Sequence, residues 1–432
     1  MTSAPGTTRR RFAVVGSGSR GLEMFAAPIT GAYADVAELV ALVDPNPLRL
    51  DGALRLLGRS LPAYTDLDVM LGEQRPDTVV ITSRDDTHAA IACRVLEAGA
   101  DVIVEKPMAT EPAGLAAMLD AERRTGRPIR VTFNYRYAPY AGRVRELLAA
   151  GVIGDVLSVD FHWYLDRDHG ADYFRRWHRR REHSGTLLVH KASHHFDLLN
   201  WWLGAVPERV IADAATMFYG PTREQRGPDC RTCTVRTTCE FAIDITTDPE
   251  LRTLYADAQS ADGYRRDGCV FDPVIDIPDT MGVLVRYRSG IMLAYSLAAH
   301  VAYEGFRAAF NGRTGRMELE VLESGPGSDR DSDPIVVIRP EGTLEREEVA
   351  RGGRDHGGGD TALLDDLLRA PGIDPLRRAA GSLDGARAAV VGMAALRSLE
   401  TGAWVRVEDL VPGIGRAPDP GRGGGSQAAS DS

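Results

Sequence analysis

A glycine-rich turn near the start of the chain constrains the fold more than any other feature of the sequence. The apolar run Phe12–Val15 predicts a buried strand, and the G-x-G-x-x-G pattern follows it where a helix is expected to begin. Gly16 permits a tight turn, Gly18 lets the backbone approach a diphosphate, and Gly21 lets helix and strand pack closely. Backbone N–H groups at such a helix start favour phosphate. The predicted dinucleotide-binding loop consists of Gly16, Ser17, Gly18, Ser19, Arg20 and Gly21.

The position of Asp44 supports this prediction. It follows Gly21 by roughly 20 residues and ends the second predicted strand, where a carboxylate can bond the ribose hydroxyls. This carboxylate would repel a 2′-phosphate and therefore favours NAD. Asn46 and Arg49 nearby keep NADP open, because an arginine can pair with that phosphate.

The pattern of apolar runs predicts an α/β protein with two domains. Over residues 9–134, strand-like and helix-like segments alternate, which predicts a doubly wound parallel sheet with helices on both faces. Over residues 135–411, hairpin signals predict an α+β domain with an open-faced, mostly antiparallel sheet. A cysteine-containing insertion is expected over about 220–279, and a disordered tail over 412–432.

Composition restricts the possible functions. The net charge of −10 argues against a nucleic-acid-binding protein, because neutralising phosphates needs a basic surface. No apolar run reaches the roughly 20 residues that span a membrane. Arg9, Arg10 and Arg11 precede an apolar stretch too short for an export signal, so we expect a cytoplasmic protein that acts on a small molecule.

Polar residues end or follow the third and fourth long strands of the first domain. The strand Thr78–Thr82 ends at Thr82, and Ser83 and His88 come after it, at the sheet edge where cofactors bind. The three residues also suit capping of the next helix. Glu105, Lys106 and Pro107 end the next strand at the same edge. A lysine in a dry cleft has a lowered pKa, which suits it to bond a substrate alkoxide or share in proton transfer.

These motifs, in this order, resemble the Gfo/Idh/MocA oxidoreductase family over most of the chain. The matching segments are the glycine loop, Thr82-Ser83 with His88, Glu105-Lys106-Pro107, Asn134-Tyr135-Arg136-Tyr137 with Pro139, Gly151–Asp155, Gly185–Gly204 and Gly315-Arg316-Met317-Glu318. The resemblance implies a Rossmann domain followed by an open-faced sheet domain, with the substrate between them.

The resemblance also implies the roles of several site residues. Lys106 matches the family's active-site lysine, and His194 matches its catalytic histidine, which takes the hydroxyl proton as hydride leaves. The family commonly has aspartate four residues earlier, where this sequence has His190, so His190 is a second candidate base. Tyr135 matches a position that borders substrate or nicotinamide. Lys191 and His195, in the same stretch, are candidate substrate contacts.

Two clusters outside these motifs bear on ligands. A cationic run around Trp177, with Arg176, could hold an anionic group of the substrate, although a solvated loop or an intersubunit strip also fits. Cysteines in the insertion could hold a structural zinc, with free thiols or a disulfide as alternatives. They are Cys230, Cys233, Cys239 and Cys269.

The main hypothesis is an NAD(P)-dependent dehydrogenase that takes hydride from a secondary hydroxyl of a sugar, cyclitol or glycoside. The alternative is an NAD-dependent, redox-neutral glycoside hydrolase, which some relatives of this family are. A silent NAD-binding regulator is a third possibility, disfavoured because both Lys106 and His194 are present. The resemblance further implies a homodimer or homotetramer.

Overall fold

A computed structural model of the chain describes residues 9–353, 355–369 and 372–415. Of the tail predicted over 412–432, residues 416–432 lie outside the described residues. The described part contains two β-sheets, one in each half of the chain.

The first sheet is parallel throughout and is built from short, almost fully buried apolar runs. Its strands are β1 (Arg10–Val15), β2 (Ala37–Val43), β3 (Ala63–Tyr64), β4 (Thr78–Ile81), β5 (Asp101–Val104) and β6 (Ile129–Val131). They lie in the order β3-β2-β1-β4-β5-β6, with every neighbouring pair parallel. The strand order reverses next to β1, which opens a crevice at the carboxyl ends. The prediction of a doubly wound Rossmann domain is confirmed.

Helices cover both faces of this sheet. They are α1 (Ser19–Gly21), α2 (Ala27–Thr30), α3 (Pro47–Leu57), α4 (Leu67–Gln74), α5 (His88–Glu97) and α6 (Pro112–Thr125). A π-helical turn over Leu22–Ala26 joins α1 to α2. The start of α3 is set by Asn46, whose side chain accepts a hydrogen bond from the Arg49 N–H, and its end by Gly58 in the left-handed conformation.

The second sheet has nine strands and is mixed but mostly antiparallel. The strands are β7 (Val156–Asp166), β8 (Pro207–Ala215), β9 (Thr280–Tyr287), β10 (Met292–Val301), β11 (Gly305–Gly312), β12 (Gly315–Leu322), β13 (Ser332–Ile338), β14 (Leu344–Ala350) and β15 (Val405–Arg406). Their order is β14-β13-β12-β11-β7-β10-β9-β8-β15, and only β7 and β10 pair in parallel. Burial alternates along β9 and β10, so one face packs on helices and the other stays open, as predicted.

Helices of the second half pack on the covered face of this sheet and against the first domain. They are α7 (Pro139–Ala149), α8 (Arg167–Arg175), α9 (Arg181–Ser184), α10 (Ala192–Leu203), α11 (Pro249–Leu251), α12 (Gln259–Asp262), α13 (Gly359–Leu368), α14 (Ser382–Thr401) and α15 (Val407–Leu410). Single turns of 3-10 helix occur at Asp85–Thr87, Asn134–Tyr137, Trp177–Arg179, Arg236–Thr238 and Asp355–Gly358, and a π turn at Arg252–Ala256. Gly392 of α14 packs so tightly that a Cβ there would lie 2.1 Å from the Leu188 carbonyl oxygen.

Helix α13 crosses back to the first domain, which the sequence did not indicate. Leu363 and Leu367 are buried in one cluster with Phe12 and Phe25 of the Rossmann domain. Tyr33 donates a hydrogen bond to Asp365 at 3.0 Å and reinforces this contact. The predicted boundary at residue 134 therefore separates the two sheets, while part of the first core comes from residues far beyond it.

The insertion lies between β8 and β9, and the structure does not support zinc in it. In the described residues the five cysteines are free, and no group of three or more His, Cys, Asp or Glu side chains is arranged to hold a metal ion. Ion pairs hold the segment instead: Arg231 with Asp267 at 2.8 Å, and Arg265 with Asp229 at 2.9 Å. The predicted zinc site is therefore not supported. Its four predicted ligands are Cys230, Cys233, Cys239 and Cys269.

None of the helices in the described ranges combines the length and the apolar character needed to cross a membrane.

Candidate active site

Two positions of the glycine loop accept only glycine, one because of its backbone conformation and both because a side chain would have no room. Gly16 has a φ of +99°, and a Cβ there would lie 2.7 Å from the Ser83 nitrogen. A Cβ at Gly21 would lie 2.1 Å from the Gly16 carbonyl oxygen, so this glycine permits the close approach of α1 to β1. Thr82 donates its hydroxyl proton to the Gly16 carbonyl at 2.8 Å. The predicted cofactor residue Thr82 thus holds the shape of the loop.

Asp44 is nearly buried at the end of β2 and faces the loop. One carboxylate oxygen accepts a hydrogen bond from the Ser17 N–H at 2.9 Å, and the other accepts from the Asn46 N–H at 2.9 Å. The Arg49 guanidinium lies 3.1 Å from Asp44 and 2.6 Å from Asp262. The expected ribose-binding carboxylate is therefore fixed in position, with an arginine bridging it to the insertion.

These residues fit a dinucleotide. The Ser17 hydroxyl is fully buried and has no hydrogen-bond partner among the described residues, so the loop carries a polar atom suited to a ligand. Arg20 adds a positive charge next to it and pairs with Glu105 at 2.7 Å. A backbone loop of glycines beside a cation and a ribose-side carboxylate matches the two ends of a nucleotide diphosphate.

His88 and Ser83 connect the turns that follow β4 and β5. The ring nitrogens of His88 lie 2.9 Å from the Pro107 carbonyl oxygen and 3.1 Å from that of Ser83. The Ser83 hydroxyl lies 2.7 Å from that of Thr87. Both predicted cofactor residues lie at the expected sheet edge, where they hold the backbone that carries Lys106.

Lys106 contacts His190, and His190 contacts Asp85, at the junction of the two domains. The peptide bond between Lys106 and Pro107 is cis, and Nζ of Lys106 lies 3.3 Å from Nε2 of His190. Nδ1 of His190 lies 2.5 Å from Oδ2 of Asp85, and both side chains are buried. A carboxylate facing Nδ1 favours the tautomer with its proton there, leaving Nε2 to accept from Lys106.

The surroundings shift the pKa of each member of this group. Burial, helped by the positive charge of Lys191, lowers the pKa of Lys106 to about 8. Burial together with the Lys106 charge lowers the pKa of His190 well below its usual value, so His190 is neutral. Burial also raises the pKa of Asp85 above its usual range. Opposed shifts of this kind are typical of a site that handles protons.

Lys191 is enclosed close to Lys106. Its side chain is 4% exposed, its Nζ lies 5.0 Å from the centre of the Trp163 ring, and Glu304 is 4.0 Å away. Burial alone would lower its pKa, but Tyr173 and Glu304 raise it, so Lys191 carries a charge. Lys106 and Lys191 are the only lysines in a chain with 51 Lys and Arg residues.

His194 and Tyr135 form a buried wall beside this group. Their rings meet edge to face with centroids 5.2 Å apart, and Phe133 also contacts His194 edge to face. The Tyr135 hydroxyl donates to Glu323 at 2.9 Å, beyond the end of β12. His190 lies in the turn before α10, whereas His194 lies on that helix.

The remaining predicted substrate residues lie in three different environments. The ring of His195 stacks on Trp163 at 4.0 Å and bonds the Tyr295 hydroxyl at 2.8 Å, inside the core above the second sheet. Trp177 stacks on His178 at 3.6 Å and meets His190 edge to face. Arg176 pairs with Asp172 at 3.0 Å. Of these three, Trp177 approaches the group formed by Lys106, His190 and Asp85, here called the proton-handling group, and His195 packs in the core.

Sequence reasoning missed Asp85 and His178. Asp85 follows β4 at the same sheet edge as Lys106, which is the signal that could have identified it. His178 is buried and meets His190 edge to face at 4.2 Å, but its position in a cationic run concealed it.

The chain joins a Rossmann domain to an open-faced sheet domain, and a lysine and a histidine meet between them. This combination defines the class of two-domain nicotinamide-dependent oxidoreductases. Residues 10–133 match the family profile "Oxidoreductase family, NAD-binding Rossmann fold", and residues 145–407 match "Oxidoreductase family, C-terminal alpha/beta domain". The chain belongs to the Gfo/Idh/MocA oxidoreductase family.

Individual relatives agree with this assignment. YteT of Bacillus subtilis, named as an oxidoreductase, is 37% identical over 413 residues, which cover 89% of this chain and 94% of YteT. Inositol 2-dehydrogenase of Rhizobium meliloti is 30% identical over 211 residues, covering 48% of this chain and 59% of that enzyme. The WlbA dehydrogenase of Bordetella pertussis, solved with NADH and UDP-GlcNAcA, has the same fold, with a TM-score of 0.64 and 21% identity over 92% of this chain and 98% of WlbA.

Proposed function

We propose that the protein is an NAD-dependent dehydrogenase that oxidises a secondary hydroxyl of a sugar or cyclitol. The observation that carries the proposal is the contact of Lys106 with His190, which in turn contacts Asp85, at the edge of the dinucleotide domain. The similarity to inositol 2-dehydrogenase supports the substrate class. The glycoside hydrolase considered from the sequence gains no support from the three relatives named above, which are oxidoreductases or dehydrogenases.

In the proposed mechanism, Lys106 removes the proton of the substrate hydroxyl. Bound NAD supplies the acceptor for the hydride that leaves the same carbon. The neutral amine of Lys106 accepts the proton, and the product carbonyl forms. His190 accepts a hydrogen bond from the lysine through Nε2 and so aims its Nζ, while Asp85 fixes the histidine ring. His194, for which the resemblance implies the role of base, and Tyr135 would border the substrate in this mechanism, and Lys191 would contact its hydroxyl or acidic groups.

The pH profile should reveal the titration of Lys106. Because only the neutral amine can accept the proton, kcat/KM for oxidation should rise about tenfold per pH unit and level off above pH 8. Replacing Lys191 with methionine removes a charge that lowers the pKa of Lys106, so the inflection should move to higher pH. Initial rates from pH 6 to 10 measure this. An inflection at the same pH in both proteins would contradict the assignment.

We further propose that NAD is preferred over NADP. Arg49 is engaged by Asp44, Asp262 and the Leu254 carbonyl oxygen, so its guanidinium is committed and Asp44 still faces the ribose side. A like-charge contact with a 2′-phosphate should lower kcat/KM for NADP at least about 100-fold relative to NAD. Asp44→Asn should reduce that preference, whereas Asp51→Asn, on the exposed side of α3, should not. Equal values for the two cofactors would contradict the proposal.

The substrate is best sought with a panel of cyclitols, neutral sugars, uronic acids and aryl glycosides. Uronic acids belong in it because charged Lys191 lies next to Lys106 and suits a carboxylate. Growth of NADH absorbance in proportion to product would support the dehydrogenase, and release of aglycone without NADH would overturn it. Homodimeric or homotetrameric assembly and a cytoplasmic location remain predictions, and light scattering tests the first.

A further inference from the structure

Tyr255, a tyrosine of the insertion, contacts the glycine loop. The Tyr255 hydroxyl oxygen lies 3.0 Å from the Ser19 nitrogen and accepts its hydrogen bond, and it lies 3.2 Å from the Ser19 hydroxyl. A Cβ on Gly18 would lie 3.0 Å from the same oxygen. The Tyr255 hydroxyl therefore occupies a backbone donor of the glycine loop and lies within reach of a phosphate bound to this loop.

The same segment also closes the ribose side of the site. The Asn46 side chain donates to the Ala258 carbonyl oxygen at 2.9 Å, and the Arg49 Nε–H donates to that of Leu254 at 3.1 Å. Asp262 completes the contact through its 2.6 Å ion pair with Arg49. Asn46 and Arg49 both follow Asp44 at the end of β2, so the insertion contacts both the diphosphate loop and the ribose side of the predicted dinucleotide site.

Apolar packing holds this segment on the Rossmann domain. Leu254 is fully buried in a cluster that contains Leu50 of α3. Gly52 of α3 leaves room for Thr253, because a Cβ at residue 52 would lie 2.9 Å from the Thr253 methyl carbon. The backbone here forms a π turn, a distortion frequent at functional sites.

We propose that residues 249–264, here called the cofactor clasp, form the outer wall of the dinucleotide site, with Tyr255 as a diphosphate contact. The cofactor can then leave the site only when the clasp moves, and it is therefore released slowly. This inference rests on dinucleotide binding as stated in the proposed function. It assigns to the insertion a role in cofactor retention, separate from hydride transfer.

Release of NADH tests the clasp directly. Protein loaded with NADH is mixed with a large excess of NAD, and the decay of nicotinamide fluorescence gives the dissociation rate. Tyr255→Ala should raise this rate at least about tenfold, and Tyr255→Phe, which keeps the ring and removes only the hydroxyl, should raise it less. Tyr303→Ala, in the turn between β10 and β11, is the matched control and should leave the rate unchanged.

The outcomes separate this proposal from the proposed function. If the unmodified protein binds no NADH, the proposed function fails. If it binds NADH and both Tyr255 variants release it within twofold of the unmodified rate, the clasp is wrong and dinucleotide binding stands. Tyr255→Phe keeps the test decisive if the alanine variant does not fold.

A reversible crosslink gives a second, independent test. Thr253→Cys removes the methyl carbon that would lie 2.9 Å from a Cβ at residue 52, so combining it with Gly52→Cys places two thiols within reach of a disulfide across the clasp contact. Oxidation after loading should slow NADH release at least about tenfold, and reduction should restore it. Equal release rates from the oxidised and reduced forms, with crosslinking verified by mass spectrometry, would overturn the proposal.

Discussion

Replacing Lys106 with methionine is expected to lower kcat about 10³-fold while leaving NADH affinity within a fewfold of that of the unmodified protein. Methionine has a similar length but neither accepts a proton nor carries charge. The lysine contacts His190, outside the glycine loop, so the diphosphate and ribose contacts should survive. Steady-state rates and fluorescence titration with NADH measure the two quantities.

Lys106→Arg is the informative companion variant. It keeps a positive charge, but an arginine does not lose its proton near neutral pH, so it should be nearly as inactive as the methionine variant. Retention of more than a tenth of kcat by Lys106→Met would remove the lysine from the mechanism. An equal loss of kcat and of NADH affinity would indicate a structural role instead.

Replacing Arg136 with methionine is expected to lower the free energy of unfolding by about 3–5 kcal/mol. Arg136 makes two hydrogen bonds to Asp197, at 2.7 and 2.5 Å, and the two side chains are 3% and 2% exposed. Without its partner, the Asp197 carboxyl remains buried and must lose its charge or its packing. This pair ties the turn that carries Tyr135 to α10, which carries His194. Urea denaturation followed by circular dichroism measures the change.

Arg143→Met is the matched control for that measurement. Arg143 pairs with Glu347 at 2.7 Å, but both side chains are more than one-third exposed, so its loss should cost less than about 1 kcal/mol. Equal destabilisation by the two variants would show that burial of the Arg136 pair is not what matters. A large effect of Arg136→Met would explain why this arginine belongs to the recognisable motif although it lies outside the proton-handling group.

The fold could be predicted from the sequence because local patterns determine it. Short apolar runs form the buried parallel strands, the spacing of Gly16, Gly18 and Gly21 specifies the tight turn, and Gly290 marks the hairpin between β9 and β10. Lys106 and Asp44 were predictable for the same reason, because each ends a strand whose carboxyl end faces the crevice.

Contacts between distant segments could not be predicted. The pairing of His190 with Asp85 joins residues 105 positions apart, and the local pattern around either residue does not indicate it. The insertion presented cysteine spacing as its strongest signal, whereas the structure shows ion pairs in which two buried aspartates meet partly exposed arginines. Its contact with the glycine loop depends on Tyr255, an unremarkable tyrosine in the sequence, 236 positions from Ser19.

The scarcity of lysine makes the centre of this molecule chemically addressable. Apart from the terminal amino group, the only primary amines of the chain are those of Lys106 and Lys191, and both are enclosed in one cleft. An acylating reagent small enough to enter would label that cleft and leave the arginine-rich exterior untouched. The mass of the intact protein would then give the extent of acylation, and with it the access of the reagent to the cleft.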